Sequence, residues 1–177
     1  HNRMNARLIL ETPRLILREM TPDDFPALCA MLRDPEVMYA YAHAFDDAEV
    51  DDWLRRQLDR YARYGFGLWA VLRKETGALI GQCGVTMQEI GEGEVPEIGY
   101  LLRKDCWHCG YATEAAAALC DWAFARGYHR VFAQHFGSNP ASGRVMQKLG
   151  MRYEGTLREH FLKNGVYEDL VRYGLVR

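Results

Sequence analysis

Apolar positions along the chain change period several times, and each change marks an element. Leu15, Ile16 and Leu17 form a short apolar run that predicts a first strand. Thr21 then stands where a helix cap belongs. Pro22 follows at the first helical position and Asp24 comes three residues after the cap, so a helix is expected to about residue 34, ahead of Pro35. Val50, Trp53, Leu54, Leu58 and Tyr61 recur three and four apart. That spacing predicts a second helix, residues 47–64, with one apolar stripe. Asp46, Asp47, Asp51 and Asp52 crowd its start, where carboxylates suit the helix dipole, and Gly65 and Gly67 end it.

Strand-like runs at 68–72, 79–87 and 95–102 follow, separated by the turn signals Glu75-Thr76-Gly77 and Gly91-Glu92-Gly93. Tight turns of this kind make an antiparallel meander. A helix over 111–126 turns Ala112, Ala115, Ala116, Leu119 and Trp122 or Ala123 inward, and Gly127 closes it. Residues 131–136 read as a strand, and Asn139 with Pro140 opens a helix that Gly150 ends. Strands at 152–162 and 167–176 flank Lys163-Asn164-Gly165, whose Asn-Gly is a strong hairpin signal. The strand–helix–strand unit in the second half requires a right-handed crossover, which makes 95–102 and 131–136 parallel neighbours. The expected class is α/β (α+β), with a mixed, mostly antiparallel seven-stranded sheet in the order β-α-α-β-β-β-α-β-α-β-β.

Composition narrows the function classes. The 177 residues suit a single domain, 1–177, and 49% apolar content is globular rather than disordered. His1, Asn2 and Arg3, ahead of Met4, carry no fold signal. A formal charge of -2 gives no reason to expect nucleic acid as a partner. No apolar run approaches the roughly 20 residues of a membrane span and the start lacks an apolar signal region, so no membrane partner and a cytoplasmic location are expected. The five cysteines, Cys29, Cys83, Cys106, Cys109 and Cys120, are odd in number and scattered, unlike a disulfide framework.

Candidate chemistry concentrates between Glu97 and Ala115, where an apolar strand runs through a short loop into an alanine-rich helix. The free N–H groups at such a helix start bind anions, Gly110 lets backbone approach closely, and Arg103, Lys104, Arg144 and Lys148 can add charge. The same loop holds a Cys-x-x-Cys, Cys106 to Cys109. A helix N-terminus lowers a thiol pKa, so a redox pair is a competing reading. A zinc site would need further ligands such as His129 or His135, and no second Cys-x-x-Cys exists. Ordinary packing of both thiols is the plainest alternative.

Five ordered segments stand out: Glu11-Thr12-Pro13-Arg14-Leu15-Ile16-Leu17-Arg18, Glu97-Ile98-Gly99-Tyr100, residues 107–115, residues 139–150 and Tyr167-Glu168-Asp169. Together they resemble the GNAT superfamily of acetyl-CoA-dependent N-acetyltransferases, in particular its branch of ribosomal-protein N-terminal acetyltransferases. The family loop usually reads Trp-Gly-Lys-Gly-Tyr-Ala-Thr-Glu-Ala; here His108 and Cys109 replace its first Gly and its Lys. His108 must therefore adopt a conformation that glycine finds easy, or the loop must shift. Met146 stands where many relatives carry a tyrosine that protonates the leaving thiolate.

The resemblance implies that strands 4 and 5 splay and that pantetheine lies in the gap, bonded to the backbone of Tyr100, Leu101 and Leu102. It assigns the pyrophosphate to His108, Cys109, Gly110, Tyr111, Ala112 and Thr113. Asn139 and Ser142 would face the pantetheine end near sulfur, although Asn139 before Pro140 is equally a helix cap. The implied reaction is direct attack of an amine on the acetyl thioester, with no metal. Glu97 is the candidate base, directly or through water, and Ser142 or water returns a proton to the thiolate. The expected partners are acetyl-CoA and an amine acceptor, either a protein N-terminus or a small molecule, with the chain a monomer or homodimer. Tyr39, Tyr41 and His43 lie where the family builds its acceptor site; Trp53, Trp122 and His135 read as packing. Residues 158–160 and Lys163 face an acceptor or another subunit. Two other functions compete: a non-catalytic acyl-CoA-binding module, and a thiol redox protein using Cys106 and Cys109.

Overall fold

The computed structural model describes residues 6–91 and 93–177. Residues 1–5 and Glu92, in the expected Gly91–Gly93 turn, lie outside the described residues. Strands β1 (Leu8–Glu11) and β2 (Leu15–Arg18) precede helices α1 (Phe25–Leu32) and α2 (Asp47–Tyr64). Strands β3 (Leu68–Arg73), β4 (Leu79–Glu89) and β5 (Glu94–Leu102) form the meander. Helix α3 (Tyr111–Ala125), strand β6 (Arg130–Phe136), helix α4 (Pro140–Lys148) and strands β7 (Arg152–Lys163) and β8 (Val166–Val176) complete the chain.

All strands join one sheet in the order β1-β2-β3-β4-β5-β6-β8-β7. Among the described residues it has eight strands, one more than expected. The extra strand is β1, which pairs antiparallel with β2. Thr12-Pro13-Arg14 is therefore a turn between strands rather than a lead-in. The Thr12 N–H donates to the Leu15 carbonyl at 2.9 Å and closes it.

Local signals account for most boundaries. Asp46 and Glu49 cap α2 reciprocally, each side chain accepting the other's N–H, at 2.8 and 3.1 Å. α1 starts later than expected, at Phe25, because Pro22–Asp24 form a separate 3-10 turn. There Asp24 accepts the Thr21 N–H at 2.8 Å and pairs with both Arg18 amino groups, at 2.8 and 2.9 Å. In the β7–β8 turn both Asn164 (φ 50°) and Gly165 (φ 76°) are left-handed, the geometry of a type I′ hairpin.

The sheet divides two cores. One face, with Trp69, Val71, Cys83, Val85 and Ile98, packs on Ala115, Ala116, Leu119 and Ala123 of α3 and Met146 of α4. The other, with Leu68 and Ala70, packs on Leu28, Met31 and Leu32 of α1 and Val50, Trp53 and Leu54 of α2. Small residues let the second pair of helices lie close. A Cβ added at Gly143 of α4 would come within 2.9 Å of His135 Nε2 on β6. The one parallel pairing, β5 with β6, registers at a single position, Glu97 opposite Phe132. Beyond it β5 continues against β4 while β6 continues against β8, so the two strands part.

Candidate active site

The loop after β5 is shaped by its backbone. Lys104–Cys106 form a 3-10 turn, His108 takes φ 60° and Gly110 φ 81°. His108 thus adopts the conformation in which the family carries glycine, and a side chain pays a steric penalty there. The first bond within α3 runs from the Glu114 N–H to the Gly110 carbonyl at 3.1 Å. The N–H groups of Tyr111, Ala112 and Thr113 precede it and have no acceptor inside the helix. These donors, beside two left-handed residues, suit a pyrophosphate.

A clamp absent from the sequence reading holds this loop. Glu114 accepts the Thr12 hydroxyl at 2.6 Å, the Arg14 N–H at 2.9 Å and the Arg14 guanidinium at 2.7 Å. Arg14 also donates to the Cys109 carbonyl at 2.9 Å, and its guanidinium lies 4.2 Å from the centre of the Tyr111 ring. Partial burial pushes the Glu114 pKa up, but the Thr12 and Arg14 hydrogen bonds outweigh it and hold the group below the ordinary carboxylate value. The signal was present as two separate segments, Thr12-Pro13-Arg14 and Thr113-Glu114-Ala115, whose mutual contact no local pattern reveals.

The basic residues expected to help divide in two. Arg103 pairs with Asp105 and Lys104 with Glu36, each at 2.7 Å. Arg144 and Lys148 lie exposed on α4 without an ion pair among the described residues. The two loop thiols differ. Cys106 is buried, receives the Arg73 guanidinium at 3.3 Å, and has its pKa raised by burial and by Asp105. Cys109 is exposed, with its sulfur toward the Trp107 carbonyl at 3.3 Å. Both are free. Cys106, buried and with a raised pKa, is not the accessible, low-pKa thiol that exchange requires. Among the described residues no group of three or more His, Cys, Asp or Glu side chains is arranged to hold a metal.

β5 presents different residues to the two faces. Tyr100 and Leu102 point toward α3 and α4, Glu97 and Leu101 toward α1 and α2. The Leu102 carbonyl is taken by the Trp107 indole N–H at 2.9 Å. The Tyr100 hydroxyl donates to the Ser142 carbonyl at 3.4 Å, and burial raises its pKa to about 12. Asn139 occupies the cap position of α4 but does not cap it: its side-chain amide donates to the Ser142 hydroxyl at 3.3 Å. Asn139, Ser142 and Tyr100 therefore meet at one end of the splay, on the far face from Glu97.

Glu97 is the carboxylate at the last paired position of the seam. The Gln134 side-chain amide donates to it at 3.1 Å, and Arg172 donates to the carbonyl oxygen of the same Gln134 at 2.9 Å. Burial raises the Glu97 pKa, opposed by the Gln134 hydrogen bond and by the charges of Arg172 and Arg60. Tyr41 and Arg60 sense the Glu97 charge from the α1–α2 layer. Gln134, Arg172 and Arg60 carried no signal in the sequence, because three separate elements bring them to Glu97.

The neighbouring aromatic positions sort as follows. Tyr39 bonds to Ser138 and, at 3.3 Å, to Glu168, joining the α1–α2 connection to the β7–β8 hairpin. Lys163 donates to the Met38 carbonyl at 3.3 Å and lies over the Tyr39 ring. His43 pairs with Glu49 away from this cluster. Trp53 donates to Gln82, Trp122 packs edge-on to Trp69, and His135 packs near Tyr173.

Residues 14–152 match the acetyltransferase (GNAT) domain family. The chain is 38% identical to the uncharacterized protein YkkB of Bacillus subtilis (strain 168), covering 93% of this chain and 97% of that protein. Its fold matches the crystal structure of a GNAT-family acetyltransferase from Bacillus anthracis, with TM-score 0.81, 24% identity and coverage of 96% and 98% of the two chains. It also matches RimL, a ribosomal L7/L12 α-N-protein acetyltransferase in complex with coenzyme A, with TM-score 0.80, 18% identity and coverage of 96% and 98%.

Proposed function

The chain belongs to the GNAT acetyltransferase family and is an acetyl-CoA-dependent acyltransferase, and we propose that its acceptor is a primary amine whose proton is taken by Glu97. The observation that carries this reading is the place of Glu97 at the point where β5 and β6 part, on the face opposite Tyr100 and Ser142. A cosubstrate held in the splay is then flanked by a carboxylate on one side and by hydroxyl groups on the other.

The loop residues His108, Cys109, Gly110, Tyr111, Ala112 and Thr113 would hold the pyrophosphate through backbone N–H groups. The freed edge of β5 near Tyr100 and Leu101 would receive the pantetheine amides. The acetyl thioester supplies an electrophilic carbonyl and a thiol leaving group with a Cys-like pKa of about 8.5. Glu97 receives the amine's proton, directly or through water, and its raised pKa brings it nearer the working range of a base. Ser142 accepts the Asn139 amide, which leaves its own hydrogen free to move toward the departing sulfur. An α-amine titrates at about 7.7–8.0 and a lysine amine at about 10.4, so a single half-buried carboxylate suits the α-amine. A protein N-terminus or a free amino compound both qualify.

Two measurements test the reading together. Saturating acetyl-CoA should raise the melting temperature, and α-amines should release CoA thiol while Glu97→Gln suppresses that release. Absence of any stabilisation by acetyl-CoA would sink the cosubstrate assignment. Full turnover in the Glu97→Gln variant would remove Glu97 as the base.

A further inference from the structure

A groove of about 320 Å³ opens between the second half of α2 and strand β4, on the α1–α2 face of the sheet. Arg56, Arg60 and Arg63 line it from the helix and Thr86 from the strand, with Asp59 the one carboxylate among its lining residues. The arginines sit at i, i+4 and i+7, so one helix face presents all of them. Thr86 is the cross-strand partner of Glu97. Directly opposite residues in an antiparallel pair hold their Cβ atoms roughly 4.5–5.5 Å apart. Thr86 is therefore the lining residue that stands next to Glu97.

These arginines are short of counter-charge. Among the described residues, no carboxylate comes within 4.0 Å of any of the three guanidinium groups. Arg60 is half-buried, and its hydrogen bond goes to a neutral partner, Gln57, at 3.0 Å. Burial and the neighbouring Arg56 push its pKa down, against the pull of Tyr41 and Glu97. The negative end of the helix dipole accounts for Arg63, in the last turn, but not for an arginine half-buried a turn earlier. On the same helix Arg55, by contrast, pairs with Asp51.

We infer that this groove recognises a carboxylate on the acceptor, so that the substrate class is an α-amine with one or more carboxylates close by. The charges are laid out for such a molecule: the amine end meets Glu97, and the carboxylate end meets guanidinium donors across Thr86. Arginine forks match carboxylates in two-bond geometry. An acidic peptide N-terminus and a free acidic amino acid share this chemistry. The inference rests on the acetyltransferase reading above for the identity of the reacting end.

The test pairs binding with turnover. Calorimetry on the protein saturated with CoA compares Ala-Glu-Glu and Ala-Gln-Gln peptide amides, and free glutamate with its diamide, which has no carboxylate. Thiol release from acetyl-CoA is followed with the same amines. An acidic member should bind about tenfold tighter than its neutral mate, and the ratio should shrink at high salt. If only the peptide pair shows this ratio, the source is a chain terminus; if only the amino acids do, it is a small molecule. Either supports the groove. In Arg60→Gln, and separately in Arg56→Gln/Arg63→Gln for the case in which the first does not fold, the acidic-to-neutral ratio should fall toward one. Equal binding of both pairs by the wild type, or an undiminished ratio in a folded variant, overturns the inference. Acid-selective binding without thiol release would uphold the groove and count against amine acetylation.

Discussion

On the α3–α4 side the chain places small residues, Ala115, Ala116, Ala123 and Gly143, and a helix start whose first N–H groups have no acceptor inside the helix. Under α1 and α2 it places Gln57, Gln82, Thr86 and Glu97, with Arg60 and Arg172 close by. In the function proposed above, the first face brings a helix start and a strand edge near enough for the main chain itself to bind, and bulky side chains would defeat that. The second is built from charged and amide side chains drawn from separate elements. A cosubstrate that is always the same can be met by backbone; an acceptor that must be chosen needs side chains.

Four substitutions can break or sharpen that contrast. The largest effect is expected for Glu97→Gln, which should lower kcat at pH 7 by about a hundredfold while acetyl-CoA still stabilises the protein. In the wild type, kcat/KM should fall as pH drops through a pKa above the ordinary 4.5 of a glutamate. Stopped assays across pH read both; a variant that loses acetyl-CoA stabilisation as well would show that the two faces are not separable.

Glu114→Gln should cost about 2 kcal/mol of stability, because the clamp's charge-assisted hydrogen bonds weaken together. The Glu114 pKa is depressed in the folded state, so its contribution is full above the unfolded value and is lost as pH falls through the folded one. Urea melts of wild type and variant should therefore converge at acid pH. Parallel curves at every pH would remove the carboxylate from the account. Cys106→Ala should cost about 1 kcal/mol from a small buried cavity and leave thiol release within about twofold. Abolished activity would restore the dithiol reading. The smallest effect belongs to His108→Gly, which relieves a left-handed side chain worth about 1–2 kcal/mol but gives back about 0.5–1 kcal/mol in glycine's extra unfolded-chain freedom. Tighter acetyl-CoA binding by calorimetry checks it, and weaker binding would mean that the imidazole itself contacts the ligand.

The same contrast explains what was legible in the sequence. The bounds of α2 followed from the spacing of Val50, Trp53 and Leu54 and from Asp46 and Gly65, all local signals. The loop from Trp107 to Ala115 was readable for the same reason: strand, tight turn and helix start are neighbours in the chain. β1 was missed because Leu8-Ile9-Leu10 is a short edge run whose partner is settled only by the Thr12-Pro13-Arg14 turn. Gln134 and Arg172 were missed because they meet Glu97 through pairing of β5 with β6 and β6 with β8. Asn139 had a correct helix position and an unforeseen partner, Ser142, since cap and site geometry begin from the same residue.

Thr12 and Glu114 are 102 positions apart, yet together they hold the start of α3. A chain shortened to begin after Arg14 would keep the whole loop, both cysteines and every backbone donor. It would lack the anchor that fixes them in one arrangement. The loop's arrangement is thus contributed in part from outside the loop segment, by a turn remote from it in the chain. Transplanting the loop alone into another scaffold would carry the motif without its preorganisation.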